Sequence, residues 1–442
     1  MFSSFSDIAD YVLFISCVLI LLGCSYLTVK LGFVQLRFLP DLARQFMASI
    51  KGRGQQAGQN SILPHKALFT AMSTTLGIST IVAPVIAIHL GGPGALLGFL
   101  LTSFLGSAAT FCEVNLCIKY RQKFANGQIS GGPMQYLKAI FSPAVAKWYA
   151  ISCLVLMTAW SGAQANQIAA ILDSPLLEGY RTGTLISGGI IAVLTLVMLC
   201  GGIKRIGSLS TALVPVMFLI YIGSSLYILL SNVDKLGTIF AQIFSSCFAP
   251  QPMASGVLVG GIVSSLRWGT FKGIQACEAG IGTQAIPHSM AETSDPLAQG
   301  TLAMLSTYTA GFVAFLSGCV SLLTNTWQDP SLPLGISMVA RSFELYFSSF
   351  GILIIAITTL LFAFGTILGN CYNGSQAFAF LSDNKKLKVY YVASSLMVFV
   401  GAISDVKTFW SVIDIILAGM ALPHMAALVR YASGKRQPVV QT

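Results

Sequence analysis

The sequence predicts an all-α polytopic membrane protein with about eleven transmembrane helices. Hydrophobic residues make up 55% of its 442 residues, and charged residues only 9%. No soluble domain of this length could carry such a surface. Apolar runs long enough to cross a bilayer recur along the whole chain, and the longest polar stretches, 35–66 and 120–147, leave no room for a soluble domain. We therefore expect residues 1–442 to form a single transmembrane domain.

The apolar runs set the expected spans. They lie near residues 10–34, 64–89, 93–120, 146–172, 184–201, 208–231, 256–286, 297–325, 348–381, 388–404 and 408–430. The first run follows an acidic start and lacks a convincing cleavage site, so we expect a retained span rather than a signal peptide. The polar segments 38–47 and 134–141 suit either short surface helices or plain linkers with anchors.

The loop charges predict the orientation in the membrane. With eleven spans, alternate loops and the C-terminal tail hold 18 Lys and Arg residues on one side and four on the other. Positively charged loops stay on the cytoplasmic side. We therefore expect the N-terminus outside and the C-terminus in the cytoplasm, in a cell membrane (plasma or inner).

Charge, cysteines and motifs exclude several function classes. The net charge of +10 is accounted for by these loops and does not indicate nucleic acid as a partner. The ten cysteines are scattered without a Cys-x-x-Cys pair, which is typical of small reduced side chains. No hydrolase, nucleotide-binding or metal signature appears. We expect neither an enzyme nor a cofactor. If ATP hydrolysis powered the protein, another chain would have to bind the ATP.

The stretch 275–288 follows a membrane-length apolar run and reads QACEAGIGTQAIPH. Gly280, Gly282 and Pro287 are poor material for a continuous helix, yet the stretch is too apolar for an ordinary surface loop. It predicts a helix that unwinds inside the protein. Backbone groups freed at membrane depth need partners, and the usual ones in transporters are a solute and its coupling ion.

A similar motif occurs in the second predicted span. LGIST at 76–80 resembles AGIGT at 279–283. Paired interruptions are typical of an inverted-repeat transporter, and a chance match of this short length is the alternative.

Two predicted spans carry unusual clusters of polar side chains. Residues 73–80 of helix 2 hold five hydroxyl groups and Gly77, and residues 160–167 of helix 4 hold three amides, including Gln164. A single such side chain often bonds only to its own helix. A helix that opens near Gly77 would present N–H groups at a positive dipole end, which suits a carboxylate, and free carbonyls that suit Na⁺.

Glu113, Glu278 and Asp414 are acidic residues inside predicted spans. Such residues mark functional sites by default. Glu113 precedes Lys119 and Arg121, so an interfacial salt bridge competes with a mechanistic role. Glu278 enters the predicted interruption, where it either braces the unwound backbone or carries a proton.

Motifs over most of the chain resemble one family. They read GGPGA at 91–95, KYR at 119–121, GGPM at 131–134, QAN at 164–166, GGIKRI at 201–206, EAGIG at 278–282 and FAFGTILG at 362–369. Together they resemble the alanine or glycine:cation symporters, which carry small neutral amino acids with Na⁺. The resemblance implies a five-plus-five inverted repeat of LeuT type. Helix 1 (10–34) would be peripheral, the repeats would cover about 64–231 and 256–430, and helices 2 and 7 would be broken.

The resemblance also implies a binding site between the broken helices. Together with the motif residues at the two interruptions, the candidate substrate-binding residues are Thr75, Gly77, Ser79, Thr80, Gln164, Ala279, Gly280, Thr366 and Asn370. By analogy with the fold, Na⁺ as coupling ion would lie near Ser73, Leu76, Phe362, Gly365 and Thr366.

The sequence departs from the family pattern at this site. Ser79 and Thr80 stand where the family has Gly-Asn, Gly365 replaces a serine, and Asn370 replaces a bulky tryptophan. One hydroxyl ligand for Na⁺ is lost, and the pocket becomes larger and more polar. We expect either a substrate larger or more polar than alanine, or altered ion coupling.

The leading interpretation is a Na⁺-driven symporter of small neutral amino acids that works by alternating access. A proton-coupled carrier or an exchanger is the alternative, with Glu278 as the residue to test. A channel would need a repeated pore-lining motif, and a membrane-embedded enzyme would need a catalytic cluster. The sequence shows neither.

Overall fold

The computed structural model describes residues 5–51, 58, 61–123, 129–172, 183–248, 251–252, 258–259, 261–404 and 406–434. Over these ranges the chain is almost entirely helical. The helices are α1 (Phe5–Lys30), α2 (Val34–Arg37), α3 (Leu39–Lys51), α4 (Pro64–Thr75), α5 (Ile78–Gly91), α6 (Ala95–Tyr120), α7 (Pro133–Ile140), α8 (Pro143–Leu172), α9 (Thr184–Leu199), α10 (Gly202–Leu230), α11 (Val233–Phe248), α12 (Gly261–Cys277), α13 (Ala285–Ser289), α14 (Pro296–Thr324), α15 (Ile336–Phe347), α16 (Ser349–Leu381), α17 (Leu387–Ile403) and α18 (Val406–Ala432).

Two antiparallel pairs of two-residue strands complete the described secondary structure, with a 3-10 turn at Thr326–Gln328. Strand β1 (Gln122–Lys123) pairs with β2 (Ile129–Ser130), and β3 (Gln251–Pro252) pairs with β4 (Leu258–Val259). In each pair the strands lie close together in sequence, so they are local hairpin-like contacts and not a sheet of their own.

The helices confirm an all-α, multi-pass membrane protein. Six described helices are long and apolar enough to cross a membrane: α6, α8, α10, α14, α16 and Ile413–Ala432 of α18. Helices α4 and α5 together are long and apolar enough to form a seventh span, and the two helices are bent by 40° relative to each other. Three shorter apolar helices, Phe14–Lys30, Thr184–Leu199 and Leu387–Ile403, accompany them.

The predicted spans differ from the helices in one important place. Within the span expected over 256–286, the described residues are helical from Gly261 to Cys277 and again from Ala285, and residues 256, 257 and 260 lie outside the described ranges. Glu278, Gly280 and Gly282 adopt positive φ angles of 51°, 71° and 96°, which an α-helix cannot contain. Arg53, Arg181, Lys435 and Arg436 from the loop-charge count also lie outside the described residues.

Two helices occur where the sequence indicated only loops. These are α11 and α15, and both are too short to cross a bilayer. Helix α15 buries Met338, Val339 and Phe343, which stabilises it through packing that hydropathy windows do not detect.

The two polar segments, 38–47 and 134–141, differ in how far their side chains are buried. Helix α3 buries no residue, as a surface helix should. Residues Pro133–Ile140 form a short helix, as the prediction of a short helix over 134–141 has it. Helix α7 buries Met134, Tyr136 and Leu137 against α8, α6 and α18 and is therefore not a plain linker.

The core lies where long helices pack in pairs. Helix α16 packs on α8, α14 and α12 pack on α6, and α1 lies against α18 and α6. Helix α1 leaves Ile15, Leu19 and Leu22 exposed, and α9 and α10 expose comparable side chains. This apolar exterior suits contact with lipid.

Small residues bring α6 and α12 into close contact. A Cβ atom on Gly98 would lie 2.8 Å from the Cα of Gly269, and one on Gly269 would lie 2.1 Å from the carbonyl oxygen of Ala95. Such close backbone approach is how membrane helices gain packing energy without a hydrophobic effect between them.

We expect Gly269→Ala to destabilise the protein by about 1–3 kcal/mol, because the added methyl group meets backbone that cannot move aside cheaply. Gly223→Ala is the matched control, since nothing lies within 4 Å of the position of its Cβ. Thermal unfolding in detergent measures both variants. Equal melting temperatures for the two would contradict the close α6–α12 contact.

Candidate functional site

A cavity of about 240 Å³ lies between α5, α8, α12 and α16. The loop before α15 closes one side of it with Leu334 and Gly335. The other lining residues are Thr74, Ile78, Ser79, Val82, Ala83, Ile86, Trp160, Ala163, Gln164, Gln167, Lys272, Gln275, Glu278, Thr366 and Asn370. An apolar wall with a few convergent polar groups is typical of a small-molecule site.

The junction of α4 and α5 borders this cavity. Helix α4 ends at Thr75 and α5 begins at Ile78. The Thr80 hydroxyl donates to the carbonyl oxygen of Thr75 at 2.8 Å, which ties the two helices together across the gap. The N–H of Ile78 donates to Oε1 of Gln164 over a long 3.4 Å. The positive end of α5 thus faces the cavity, with only a neutral amide as partner.

Gly77 allows the close approach at this junction. A Cβ on Gly77 would lie 2.9 Å from the Thr366 hydroxyl oxygen and 3.1 Å from Nε2 of Gln164. Any larger residue would push these side chains away from the start of α5.

Side chains from four surrounding helices hold the second interruption, between α12 and α13. His424 of α18 contacts the carbonyl oxygen of Gly280 at 2.8 Å, and Tyr149 of α8 donates to that of Ile281 at 2.9 Å. Asn373 of α16 donates to the carbonyl oxygen of Thr283 at 3.3 Å. From α14, Ser306 donates to the side-chain oxygen of Gln284.

These contacts change the expected role of the interruption. The sequence suggested that a solute and an ion would satisfy its freed carbonyl groups. In the structure the protein satisfies several of them itself, since Nε2 of Gln284 also donates to the carbonyl oxygen of Cys277 at 3.0 Å. Glu278 accepts a hydrogen bond from the hydroxyl of Thr283 in the same segment. This contact joins two residues of the interruption and stabilises its backbone.

Oxygen atoms converge where the sequence indicated a sodium site. The hydroxyl oxygen of Thr366 lies 2.9 Å from the carbonyl oxygen of Ser73 and 2.9 Å from that of Phe362. Its neighbour Gly365 packs against Ser73, with 3.9 Å between the position of a Cβ and the Ser73 oxygen. Hard oxygen ligands of this kind suit Na⁺.

Asn370 is the least satisfied polar side chain on the cavity wall. It is 1% exposed, and neither its Nδ2 nor its Oδ1 atom has a hydrogen-bond partner in the described part of the chain. Buried amides are normally paired. An orphaned amide beside a cavity indicates a polar group of a ligand as its partner.

The structure separates the candidate residues into three groups. Ser79, Gln164, Glu278, Thr366 and Asn370 line the cavity. Thr75, Gly77 and Thr80 lie directly behind it at the α4–α5 junction.

The third group, Ala279 and Gly280, does not line the cavity. A Cβ on Gly106 of α6 would meet the Ala279 methyl group at 2.5 Å, and one on Gly280 would meet Met425 of α18 at 2.3 Å. Both residues therefore contact the surrounding helices, because the left-handed backbone of the segment turns them away from the cavity.

Sequence reasoning missed two polar residues of the cavity, Lys272 and Gln275. Nζ of Lys272 donates to Oε1 of Gln275 at 3.3 Å, and Nε2 of Gln275 donates to Asp414 at 2.7 Å. Lys272 and Gln275 are three residues apart and so share a face of α12, and Glu278 follows three residues after Gln275, just beyond the end of the helix. That spacing was the available signal.

The salt-bridge interpretation of Glu113 is wrong. Arg121 instead donates to the carbonyl oxygens of Ser289 and Ala291, and Lys119 donates to the hydroxyl of Tyr431. The side chain of Glu113 points into the protein and is fully buried.

Comparison with known proteins identifies the family. The model of the sodium:alanine symporter family matches residues 1–435. The chain belongs to the sodium:alanine symporter family. The predicted resemblance is thereby confirmed.

Two relatives and one solved structure illustrate the similarity. The sodium/alanine symporter AgcS of Methanococcus maripaludis is 30% identical over 93% of this chain and 90% of its own length. A probable sodium/glutamine symporter, GlnT of Bacillus subtilis, is 30% identical over 93% and 84%. A nucleobase-cation-symport-1 family transporter matches in fold with a TM-score of 0.58, at 12% identity over 81% of this chain and 76% of its own. The family and its structural neighbours are transporters, not enzymes, as expected.

We expect Gln164→Ala to weaken binding of alanine, the family's named substrate, by about tenfold or more, because a hydrogen bond to a charged group contributes about 1.5–3 kcal/mol. Thr158→Ala on the same helix is the control, since its hydroxyl bonds to the carbonyl oxygen of Leu154 outside the cavity. Equilibrium binding of radiolabelled amino acid to purified protein is the measurement. Unchanged affinity in Gln164→Ala would remove this residue from the site.

Proposed function

We propose that this chain is a Na⁺-driven symporter of small neutral amino acids that works by alternating access. The observation that carries the proposal is the junction of α4 and α5. There the first N–H of α5 meets the cavity with a long contact to Gln164 as its partner. A carboxylate would replace this weak contact with charge-assisted hydrogen bonds at a helix N-terminus.

The two helix ends at the junction suit the two ends of an amino acid. The start of α5 carries partial positive charge and the end of α4 partial negative charge. A zwitterion can place its carboxylate at Ile78 and Ser79 and its ammonium group toward the end of α4. The Glu278 carboxyl group on the opposite wall adds a second acceptor for the ammonium group.

Na⁺ would be bound beside this substrate by oxygen atoms. The carbonyl groups of Ser73 and Phe362 already meet at the Thr366 hydroxyl, and Leu76 and Gly365 would supply further carbonyl oxygens nearby. Since Gly365 has no hydroxyl to offer, Thr366 would be the side-chain ligand. Na⁺ joined to the helix that binds substrate would couple the two, because each stabilises the same arrangement of α4 and α16.

Asn370 extends the expected substrate range toward polar amino acids. Its unpartnered amide lines the cavity, and it lies in the same chamber as Gln167 and Lys272. The relative named as a probable sodium/glutamine symporter is consistent with a polar side chain in this family. A substrate with an amide or hydroxyl side chain would satisfy Asn370, whereas alanine would leave it unpaired.

The membrane arrangement follows the same proposal. We infer eleven spans in which α4 with α5 forms broken helix 2 and α12 with α13 forms broken helix 7. The first repeat would cover about 64–231 and the second about 256–430, with α1 outside both. With the N-terminus outside the cell and the C-terminus in the cytoplasm, the cavity would lie toward the outside, where Ile86 and the loop at Gly335 border it.

We expect Thr366→Val to lower Na⁺-driven uptake by about tenfold or more at limiting Na⁺, because it removes the hydroxyl ligand but keeps the shape. Thr366→Ser keeps the hydroxyl and is expected to retain Na⁺-driven uptake. Uptake into proteoliposomes with separately imposed Na⁺ and pH gradients measures both. Uptake driven by a pH gradient alone would instead favour the proton-coupled alternative at Glu278.

We expect Asn370→Ala to reduce uptake of glutamine, serine and asparagine more than that of alanine. The physical reason is that only polar side chains can pair with the Asn370 amide. Competition of each amino acid against labelled alanine in the two proteins measures the change. A strict preference for alanine and glycine in the wild type would contradict the polar pocket.

A further inference from the structure

A second polar cluster lies buried between α6, α7, α18 and the segment 278–284, separate from the cavity lining. His424 of α18 occupies its centre. One ring nitrogen, Nδ1, lies 2.8 Å from the carbonyl oxygen of Gly280, and the other, Nε2, lies 2.5 Å from the hydroxyl of Tyr136. The cluster therefore contacts the interruption between α12 and α13 directly.

These two contacts define the protonation of His424. A carbonyl oxygen can only accept, so Nδ1 carries a hydrogen and donates it to Gly280. The Tyr136 hydroxyl can then donate to Nε2 as an acceptor. Both nitrogens of a neutral imidazole are satisfied in this way, and the ring needs no second proton.

Glu113 lies beside this ring without a hydrogen bond of its own. It is fully buried, and neither carboxyl oxygen has a hydrogen-bond partner among the described residues. Oε2 lies 3.9 Å from Nε2 of His424, and the Gly282 backbone N–H is directed at the carboxyl group. An ionised carboxylate in such a place would be a buried charge with the Gly282 N–H beside it but no cation among the described residues.

Among the residues that the structure describes, the other groups around Glu113 provide no positive charge. Titratable groups face it from the neighbouring elements: the thiol of Cys24 on α1, those of Cys112 and Cys117 on α6 itself, the hydroxyls of Tyr136 on α7 and Tyr149 on α8, and the carboxyl of Glu278 after α12. Helix α13, which also packs on α6, presents His288, whose Nδ1 is paired with Gln299. The cations of α6, Lys119 and Arg121, bind elsewhere.

We propose that Glu113 and His424 form a binding site for one proton, and that this proton keeps the segment 278–284 closed on the side away from the cavity. The proton resides on Glu113 while His424 stays neutral. If it moves to Nε2, Tyr136 rotates to accept the new N–H, and the carboxylate faces the imidazolium. The pair is neutral in both forms.

Loss of the proton changes that balance. A net negative charge then remains where the described residues supply no cation to compensate it, and the protein can relieve it by letting water enter beside Gly280. Because His424 holds the Gly280 carbonyl, such entry releases the segment. Raising the pH would thus favour opening of this side, and by linkage the open form would bind the proton less tightly.

Infrared spectroscopy of the purified protein, in a detergent without ester groups, tests the proton directly. At neutral pH we expect the carbonyl absorption of a protonated carboxylic acid, absent in Glu113→Gln and unchanged in Glu344→Gln. Glu344 is a suitable control because it pairs with Arg341 on the surface of α15. The proposal is overturned if Glu113→Gln leaves the band unchanged, or if Glu278→Gln alone removes it.

A second variant keeps the test valid if Glu113→Gln does not fold. In Tyr136→Phe, Nε2 loses its donor, so His424 competes better for the proton and the acid band should weaken. An unaltered band in that variant would also contradict the proposal. The infrared measurement needs neither Na⁺ nor transport, so its result is independent of whether the proposed symport is correct.

The consequence for transport is a separate readout. We expect uptake by the wild type to vary with pH and the dependence to flatten in Glu113→Gln, whose side chain cannot lose a proton. A full wild-type pH dependence in Glu113→Gln would show that the proton acts elsewhere.

Discussion

The structure depends on a single constraint, namely that backbone groups released from a helix at membrane depth must find partners within the protein or in a bound solute. The chain meets this constraint differently at its two interruptions. Between α4 and α5 the exposed N–H of Ile78 has a long, neutral contact to Gln164. Between α12 and α13, tyrosine, histidine and asparagine side chains hold the carbonyl groups. At the first interruption a ligand could therefore replace the weak partner of the Ile78 N–H. At the second, the carbonyl groups are already bonded to side chains of neighbouring helices.

This difference suggests how binding and movement are divided. A substrate carboxylate at the α4–α5 junction would be stabilised by the partial positive charge at the start of α5. Movement of the α12–α13 segment requires side chains on α8, α16 and α18 to release the carbonyl groups of Ile281, Thr283 and Gly280. In the proposed alternating access, the bracing contacts would act as a barrier, and a change of charge beside them would be a direct way to lower it. The segment 278–284 thus contacts the cavity through Glu278 and the buried cluster through Gly280.

Much of the fold follows from sequence because lipid allows few alternatives. Long apolar runs predict helices such as α16, and the structure places Gly77 between the ends of α4 and α5 and Gly280 between those of α12 and α13. The direction in which the second interruption turns could not be predicted, because positive φ angles at Glu278, Gly280 and Gly282 reverse which side chains face the cavity. For this reason Ala279 and Gly280 contact neighbouring helices.

Contacts between residues that are far apart in the sequence could not be predicted either. Glu113 and His424 are separated by most of the sequence, and only packing of α6 against α18 brings them together. Lys272 and Gln275 could have been assigned to the cavity from their spacing to Glu278, since helical periodicity is a local property. Asn370 stands where the family pattern has a bulky tryptophan, and the structure places its side chain on the cavity wall.

The most direct measurement compares binding of an amino acid with binding of its methyl ester, which keeps the ammonium group and the side chain but removes the carboxylate charge. Isothermal titration of the purified protein in the presence of Na⁺ gives both affinities. If the start of α5 binds the carboxylate, the free amino acid binds and the ester binds at least about tenfold more weakly. Equal affinities would contradict the account, because the helix end at Ile78 would then contribute nothing to recognition.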